Sequence, residues 1–139
     1  MITWKVDRSL LKEPFASNVD ALLSADPADW IVTSGYRSPD EQTALYAEGR
    51  DNQGNIVTPS AVVTNAKAGQ SAHNAGLAVD VTLVKDGKDD WDVRDPDWQR
   101  MIAAVRAAPD LHSGADFPTP DTDHIEAYRW KAIRNAQSA

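Results

Sequence analysis

Ser71-Ala72-His73-Asn74-Ala75-Gly76-Leu77-Ala78-Val79-Asp80-Val81-Thr82-Leu83-Val84 is the stretch on which the reading of this chain turns. Leu77 to Val84 alternates and is rich in Val and Leu, which predicts a central strand. Asp80 falls in phase with Ala78 and Thr82, opposite Leu77, Val79 and Val81. A carboxylate in the middle of an apolar strand is costly unless it is paired or bound to a cation. Gly76 marks a turn that can carry the His73 imidazole back over the strand. His73 and Asp80 alone make a weak pattern, because a solvated Asp on an open sheet face leaves the same trace.

A second polar segment completes the pattern: Asp121-Thr122-Asp123-His124-Ile125-Glu126. The run His124–Tyr128 predicts a short strand with His124 and Glu126 on one face and Ile125 on the other. Asp121 stands just before it, placed to lean toward a metal site, whereas Asp123 should point away. The composition of residues 119–123 also fits a plain acidic turn. Together the two segments use two of the chain's three histidines. Two imidazoles and one carboxylate are what a catalytic zinc ion needs, since such sites keep one position open for water.

Composition bounds the alternatives. A chain of 139 residues is long enough to bury a core as one domain. The net charge is −7 and no Lys/Arg-rich run occurs, so nucleic acid and anionic membranes are not expected partners. The chain has no cysteine, which excludes disulfides and thiolate metal sites and leaves His and carboxylate as ligands. No run approaches the roughly 18 apolar residues that would span a membrane. The N-terminal Met1–Arg8 has no apolar core of a signal peptide. A target outside the cytoplasm would therefore require another protein to open the way.

Along the chain, residues 9–24 show near-helical apolar spacing, with Pro14 as a boundary or first turn. Trp30–Tyr36 predicts a strand. Ser38-Pro39-Asp40-Glu41 is a strong helix start with a capping box, and the helix should stop near Gly49. Residues 50–70 predict a long surface loop with a hairpin turn at 52–55, and loops of that length are usually functional. Asp95-Pro96 starts a further helix that Pro109 ends, and a frayed terminal helix is expected after Tyr128. These elements predict an α+β fold, a single small domain over 1–139 with a mainly antiparallel sheet, flanking helices and the zinc site at the sheet edge or cleft.

Four motifs in order resemble the zinc D,D-peptidase family of D-alanyl-D-alanine carboxypeptidases, D-Ala-D-Ala dipeptidases and phage L-alanyl-D-glutamate endopeptidases. They are Ser34-Gly35-Tyr36-Arg37-Ser38, Gln42-x-x-Leu45-Tyr46, Ser71-x-His73-x-x-Gly76-x-Ala78-x-Asp80 and Asp121-x-x-His124-x-Glu126, spread over roughly residues 30–128. The order and small size look most like the phage endolysin and bacterial endopeptidase branch. The resemblance implies that His73, Asp80 and His124 hold zinc and that Asp121 is the general base. It implies that Arg37 stabilises the oxyanion and positions the scissile carbonyl. Ser71 would support the His73 loop or bind substrate, and Tyr36 is a substrate-side residue of the wall rather than a catalyst. Glu126 would assist His124 without being a ligand.

His112 reads as a loop residue near the cleft, in a stretch where the family often carries tryptophan and extra glycines. The expected activity is zinc-dependent cleavage of the L-alanyl-D-glutamate bond in the peptidoglycan stem peptide, by a monomer. A D-alanyl-D-alanine carboxypeptidase or dipeptidase is the alternative within the same chemistry. A non-catalytic metal- or wall-binding module is the alternative outside it. A structural zinc site would need four protein ligands, and no fourth strong ligand is evident.

Overall fold

The computed structural model describes residues 1–138. In chain order its elements are β1 (Ile2–Trp4), α1 (Phe15–Ala25), β2 (Asp29–Ser34), α2 (Pro39–Ala47), β3 (Ala78–Lys85), β4 (Lys88–Asp90), α3 (Pro96–Ala107), β5 (Leu111–Ser113), β6 (His124–Ala127) and α4 (Trp130–Ser138). One mixed sheet runs β1-β2-β3-β6-β5, with β4 paired to β3. Only the β1–β2 pairing is parallel. The open sheet and its flanking helices make the α+β arrangement that the sequence predicts.

β3 is the spine. β2 lines one edge of it, while β6 pairs with Ala78–Asp80 and β4 with Leu83–Lys85 along the other. Its alternation divides the molecule. Val79, Val81 and Leu83 are fully buried in a core shared with Phe15, Val19 and Leu23 of α1 and Trp98, Met101 and Val105 of α3. Asp80 stands in the opposite phase. Trp30 of β2 meets Trp98 edge-to-face at 5.0 Å, a favoured aromatic geometry.

The helix starts follow the expected chemistry. Ser38 accepts from the Glu41 N–H while the Glu41 carboxylate accepts from the Ser38 N–H, so the capping box is complete. Asp95 caps α3 ahead of Pro96. α1 begins only at Phe15, directly after Pro14, and residues 8–10 form a separate 3-10 turn. The 50–70 segment carries the expected turn, closed by an Arg50–Ile56 bridge. Three short strands, β1, β4 and β5, were not expected.

Asp26, at the end of α1, joins three elements. Its carboxylate accepts from Arg100 of α3 at 2.7 and 3.0 Å, from the Ala28 N–H and from the Trp30 indole. Burial opposes the charged form, but these hydrogen bonds, led by Arg100, hold the Asp26 carboxyl below its ordinary value. Replacing Asp26 with Ala should cost about 2 kcal/mol at neutral pH, since hydrogen bonds to charged groups are worth about that much. The carboxyl is lowered on folding, so its contribution is full above the unfolded value of about 4 and fades as pH falls through the folded one. Urea midpoints of parent and variant should thus differ at neutral pH and converge in strong acid. Equal midpoints at neutral pH would remove Asp26 from the stabilising contacts.

Candidate metal centre

The register of three strands builds the site. Ser34 of β2 and His124 of β6 lie opposite Asp80 on its two sides, and a β-bulge between Val32 and Ser34 sets the first of these pairings. One step along, Glu126 of β6 lies between Ala78 of β3 and His112 of β5. Directly opposed residues share a face. A polar row therefore crosses the sheet on the side away from Val79, Val81 and Leu83. His73 joins it from the loop before β3, where Gly76 adopts φ +70°. A side chain there would press on the Leu10 carbonyl at 2.9 Å.

The imidazoles are held by their outer nitrogens. His73 Nδ1 lies 2.7 Å from the Gly35 carbonyl oxygen, and His124 Nε2 lies 2.8 Å from Glu126 Oε1. A carbonyl and a carboxylate only accept, so each of those nitrogens carries the hydrogen. The inner nitrogens, His73 Nε2 and His124 Nδ1, then turn lone pairs toward Asp80, each 3.4 Å from one of its oxygens. The three donor atoms lie within 4.8 Å of one another. Lone pairs facing lone pairs in a buried pocket repel unless a cation sits among them. Two imidazoles and a carboxylate suit a divalent transition metal, so the residues present fit such an ion.

Without an ion, a proton on His124 is the alternative source of that positive charge. Burial disfavours the charged form of Asp80, but hydrogen bonds and charges from His124 and His73 overcome it and hold the carboxyl well below the usual range. Burial likewise works against a charged His124, yet Asp80 and Glu126 outweigh it and raise the imidazole to about 9. Arg37 adds a fixed positive charge, its Nη2 donating to Asp80 Oδ2 at 3.1 Å and to Ser34 Oγ at 3.2 Å. The Arg37 backbone N–H also bonds the His73 carbonyl, so the two loops are stitched together.

A cleft of about 840 Å³ opens over this centre. Asp121, Asp123, Glu126 and Arg37 line it together with the three donor residues. Ser71 lines it too and accepts the His73 N–H through its hydroxyl at 3.2 Å. Tyr36 does not line it and is exposed on the surface. His112 belongs to β5 rather than to a loop, with Nδ1 3.7 Å from Glu126 Oε2.

Asp123 does not point away as expected. Residues 122–123 precede β6 as a turn, where strand alternation does not hold. The Asp123 carboxylate instead gathers with those of Asp80 and Asp121. Burial pushes the Asp123 carboxyl up to about 7, aided by a hydrogen bond shared with Asp121 and by the charges of Asp80 and Asp121. Other contributors left no signal in the sequence. Gly35 acts through its carbonyl, and Asn74 donates to the Arg37 and Ser38 carbonyls at 2.9 and 3.3 Å. Phe117 packs its ring 5.3 Å from that of His124.

The chain matches the VanY family, described as D-alanyl-D-alanine carboxypeptidase, over residues 9–118. It belongs to this family. The matched span includes Arg37, His73 and Asp80, while Asp121 and His124 follow it. The chain is 45% identical over 121 residues to the peptidoglycan L-alanyl-D-glutamate endopeptidase CwlK of Bacillus subtilis, covering 78% of this chain and 68% of that protein. Among solved structures, the L-Ala D-Glu endopeptidase ChiX of Serratia marcescens superposes with a TM-score of 0.66 at 18% identity, covering 91% of this chain and 86% of ChiX. The vancomycin-resistance D,D-pentapeptidase VanY, solved in complex with Zn(II), gives 0.57 at 18% identity, with 96% and 79% covered. At these identities the two structures establish a shared fold.

Two outcomes test the centre. Glu126→Gln should weaken divalent-metal affinity about 10- to 100-fold in a chelator competition, because the His124 Nε2–H loses its carboxylate. Unchanged affinity would mean that Glu126 does not orient the ring. Gly114 packs where a Cβ would collide with the Asp121 carbonyl and approach His124 Cβ at 2.8 Å. Gly114→Ala should therefore cost about 1–3 kcal/mol in denaturant unfolding and also lower metal affinity.

Proposed function

We propose that this chain is a zinc-dependent peptidoglycan endopeptidase that hydrolyses the L-alanyl-D-glutamate bond of the stem peptide. One observation carries the proposal. Two buried imidazoles and a half-buried carboxylate turn their donor atoms toward one point at the floor of a cleft, beside a pair of acids and a fixed guanidinium. The likeness to CwlK supplies the bond, and the VanY complex with Zn(II) supports the choice of metal. His73, Asp80 and His124 would hold the ion. Zinc, when bound, would supply the Lewis acidity that polarises a carbonyl and makes water acidic near neutral pH.

The chain's own groups would do the rest. Asp121 would take a proton from the attacking water and return it to the departing amine, as a general base that becomes a general acid. Asp123 would stand beside it as the partner in its hydrogen bond. Arg37 is held on one side by Asp80 and Ser34, and its remaining N–H groups have no protein partner among the described residues. It would oppose the negative charge that builds on the carbonyl oxygen. Ser71 would keep the His73 loop in place. Tyr36 would meet the substrate only outside the cleft.

Residues 1–139 would work as one catalytic domain, as a monomer, on the cell wall after release from the cytoplasm. Among the described residues no helix is long and apolar enough to cross a membrane. The description of the matched family supports a second reading, removal of terminal D-alanine by the same groups.

Product analysis separates the two. Muropeptides treated with the protein should gain new alanine carboxyl and glutamate amino ends, and EDTA should abolish their appearance. Release of free D-alanine instead would favour the carboxypeptidase reading. Asp121→Asn should keep its metal and lose about 100-fold or more in turnover, the usual contribution of a positioned base. Full turnover in that variant would remove Asp121 from catalysis.

A further inference from the structure

Four acids line the cleft (Asp80, Asp121, Asp123 and Glu126), but only two cations do, Arg37 and Lys131. Arg37 is engaged by Asp80. Lys131, on the first turn of α4, has no carboxylate within ion-pairing distance among the described residues. Its ammonium lies 5.8 Å from the ring of Trp130, which is 8% exposed and belongs to the core. The acids of the cleft face one another or the histidines. Asp121 and Asp123 gather with Asp80, and Glu126 faces His124 and His112.

The helix that carries Lys131 is anchored across the cleft. Arg134, further along α4, donates to the Gly69 carbonyl at 3.0 Å. The Gly69 N–H in turn donates to Asn74 Oδ1, and the Asn74 amide donates to the Arg37 carbonyl. The two cations of the cleft are thus set relative to each other through a chain of hydrogen bonds. Lys131 is thus an exposed residue on the cleft lining without an ion-pair partner among the described residues, placed for an anion that arrives with a ligand.

The proposed substrate brings one. A glutamyl residue joined to the next residue through one carboxyl keeps its other carboxyl free. That free carboxylate belongs to the residue that supplies the amine of the scissile bond. We infer that Lys131 is a specificity-determining residue that binds the free carboxylate of the glutamyl residue. The inference rests on the proposed endopeptidase reading and adds to it the group that selects a glutamyl over a neutral residue. No bond is made or broken by Lys131, and its contribution is to binding.

The test compares two synthetic stem peptides, one with the free glutamyl carboxylate and one with that group as the amide. The metal-loaded parent should cleave the carboxylate form with a kcat/KM about tenfold higher or more, the scale of one hydrogen bond between charged groups. Lys131→Gln should bring that ratio close to one, chiefly through a rise in KM, and Lys131→Arg should restore most of it. A ratio that stays at the parent value in Lys131→Gln overturns the inference while leaving the endopeptidase reading intact. A third peptide, amidated only at its C-terminus, guards against the wrong carboxylate. If its poor cleavage, rather than that of the glutamyl amide, is what Lys131→Gln relieves, the glutamyl assignment is wrong. If the parent cleaves none of the peptides at this bond, the endopeptidase reading itself falls.

Discussion

The arrangement depends on a crowding of acceptors around Asp80 that Arg37 relieves at Oδ2 only. Asp80 presents its two oxygens to His73 Nε2 and His124 Nδ1, each at 3.4 Å. The outer nitrogens of both rings are already committed, to Gly35 and to Glu126. Neither ring can flip to offer an N–H to Asp80 without leaving a buried donor or acceptor unpaired, which costs about 1–3 kcal/mol. The rings therefore keep their lone pairs inward. Positive charge is the one thing that makes the geometry favourable, and a divalent ion supplies it where a single proton satisfies only one contact.

That demand explains where the site lies on the sheet. Metal donors need rigid placement, and the two inner strands β3 and β6 give it through backbone pairing between Asp80 and His124. The opposite face of the same strands is filled by Val79, Val81 and Ile125, which pack in the helix-covered core. Displacing the core would shift the donors, because residues of alternate phase share one backbone. The third donor comes from a loop, and that loop is tied down more heavily than most. Gly76 sets its turn, Ser71 accepts the His73 N–H, and the Arg37 N–H holds the His73 carbonyl. Asn74 then fixes the Arg37 segment in return.

Much of this was legible in the chain. The phase of Asp80 within Leu77–Val84 announced a carboxylate with an unusual partner, and the His124–Glu126 spacing announced two side chains on one face. Both are local periodicities, which sequence records well. The strands β1, β4 and β5 were not legible, because three residues carry no period and their pairing comes from tertiary contact. Asp123 was misread for the converse reason. Alternation was carried one residue beyond the strand, into a turn where it does not hold. Gly35 stands in a quoted motif, but its role was not legible, since it contributes a carbonyl that every residue has. The gap between legible and illegible is thus the gap between side chains with a period and backbone groups placed by a distant partner.

The walls of the cleft obey a different logic from its floor. One wall is the segment 63–66, gripped from behind by Gln42, which donates to the Ala66 carbonyl at 2.7 Å, and by Arg50, which donates to the Thr64 carbonyl at 2.9 Å. Gln42 is fully buried, and its Oε1 is left without a partner, so holding this wall has a cost. The facing wall begins on α4 with Trp130 and Lys131. Neither wall belongs to the sheet. Relatives that share this fold at 18% identity carry names with different scissile bonds. The floor is set by strand register and the walls by side-chain grips on loops, so the two rest on different kinds of contact.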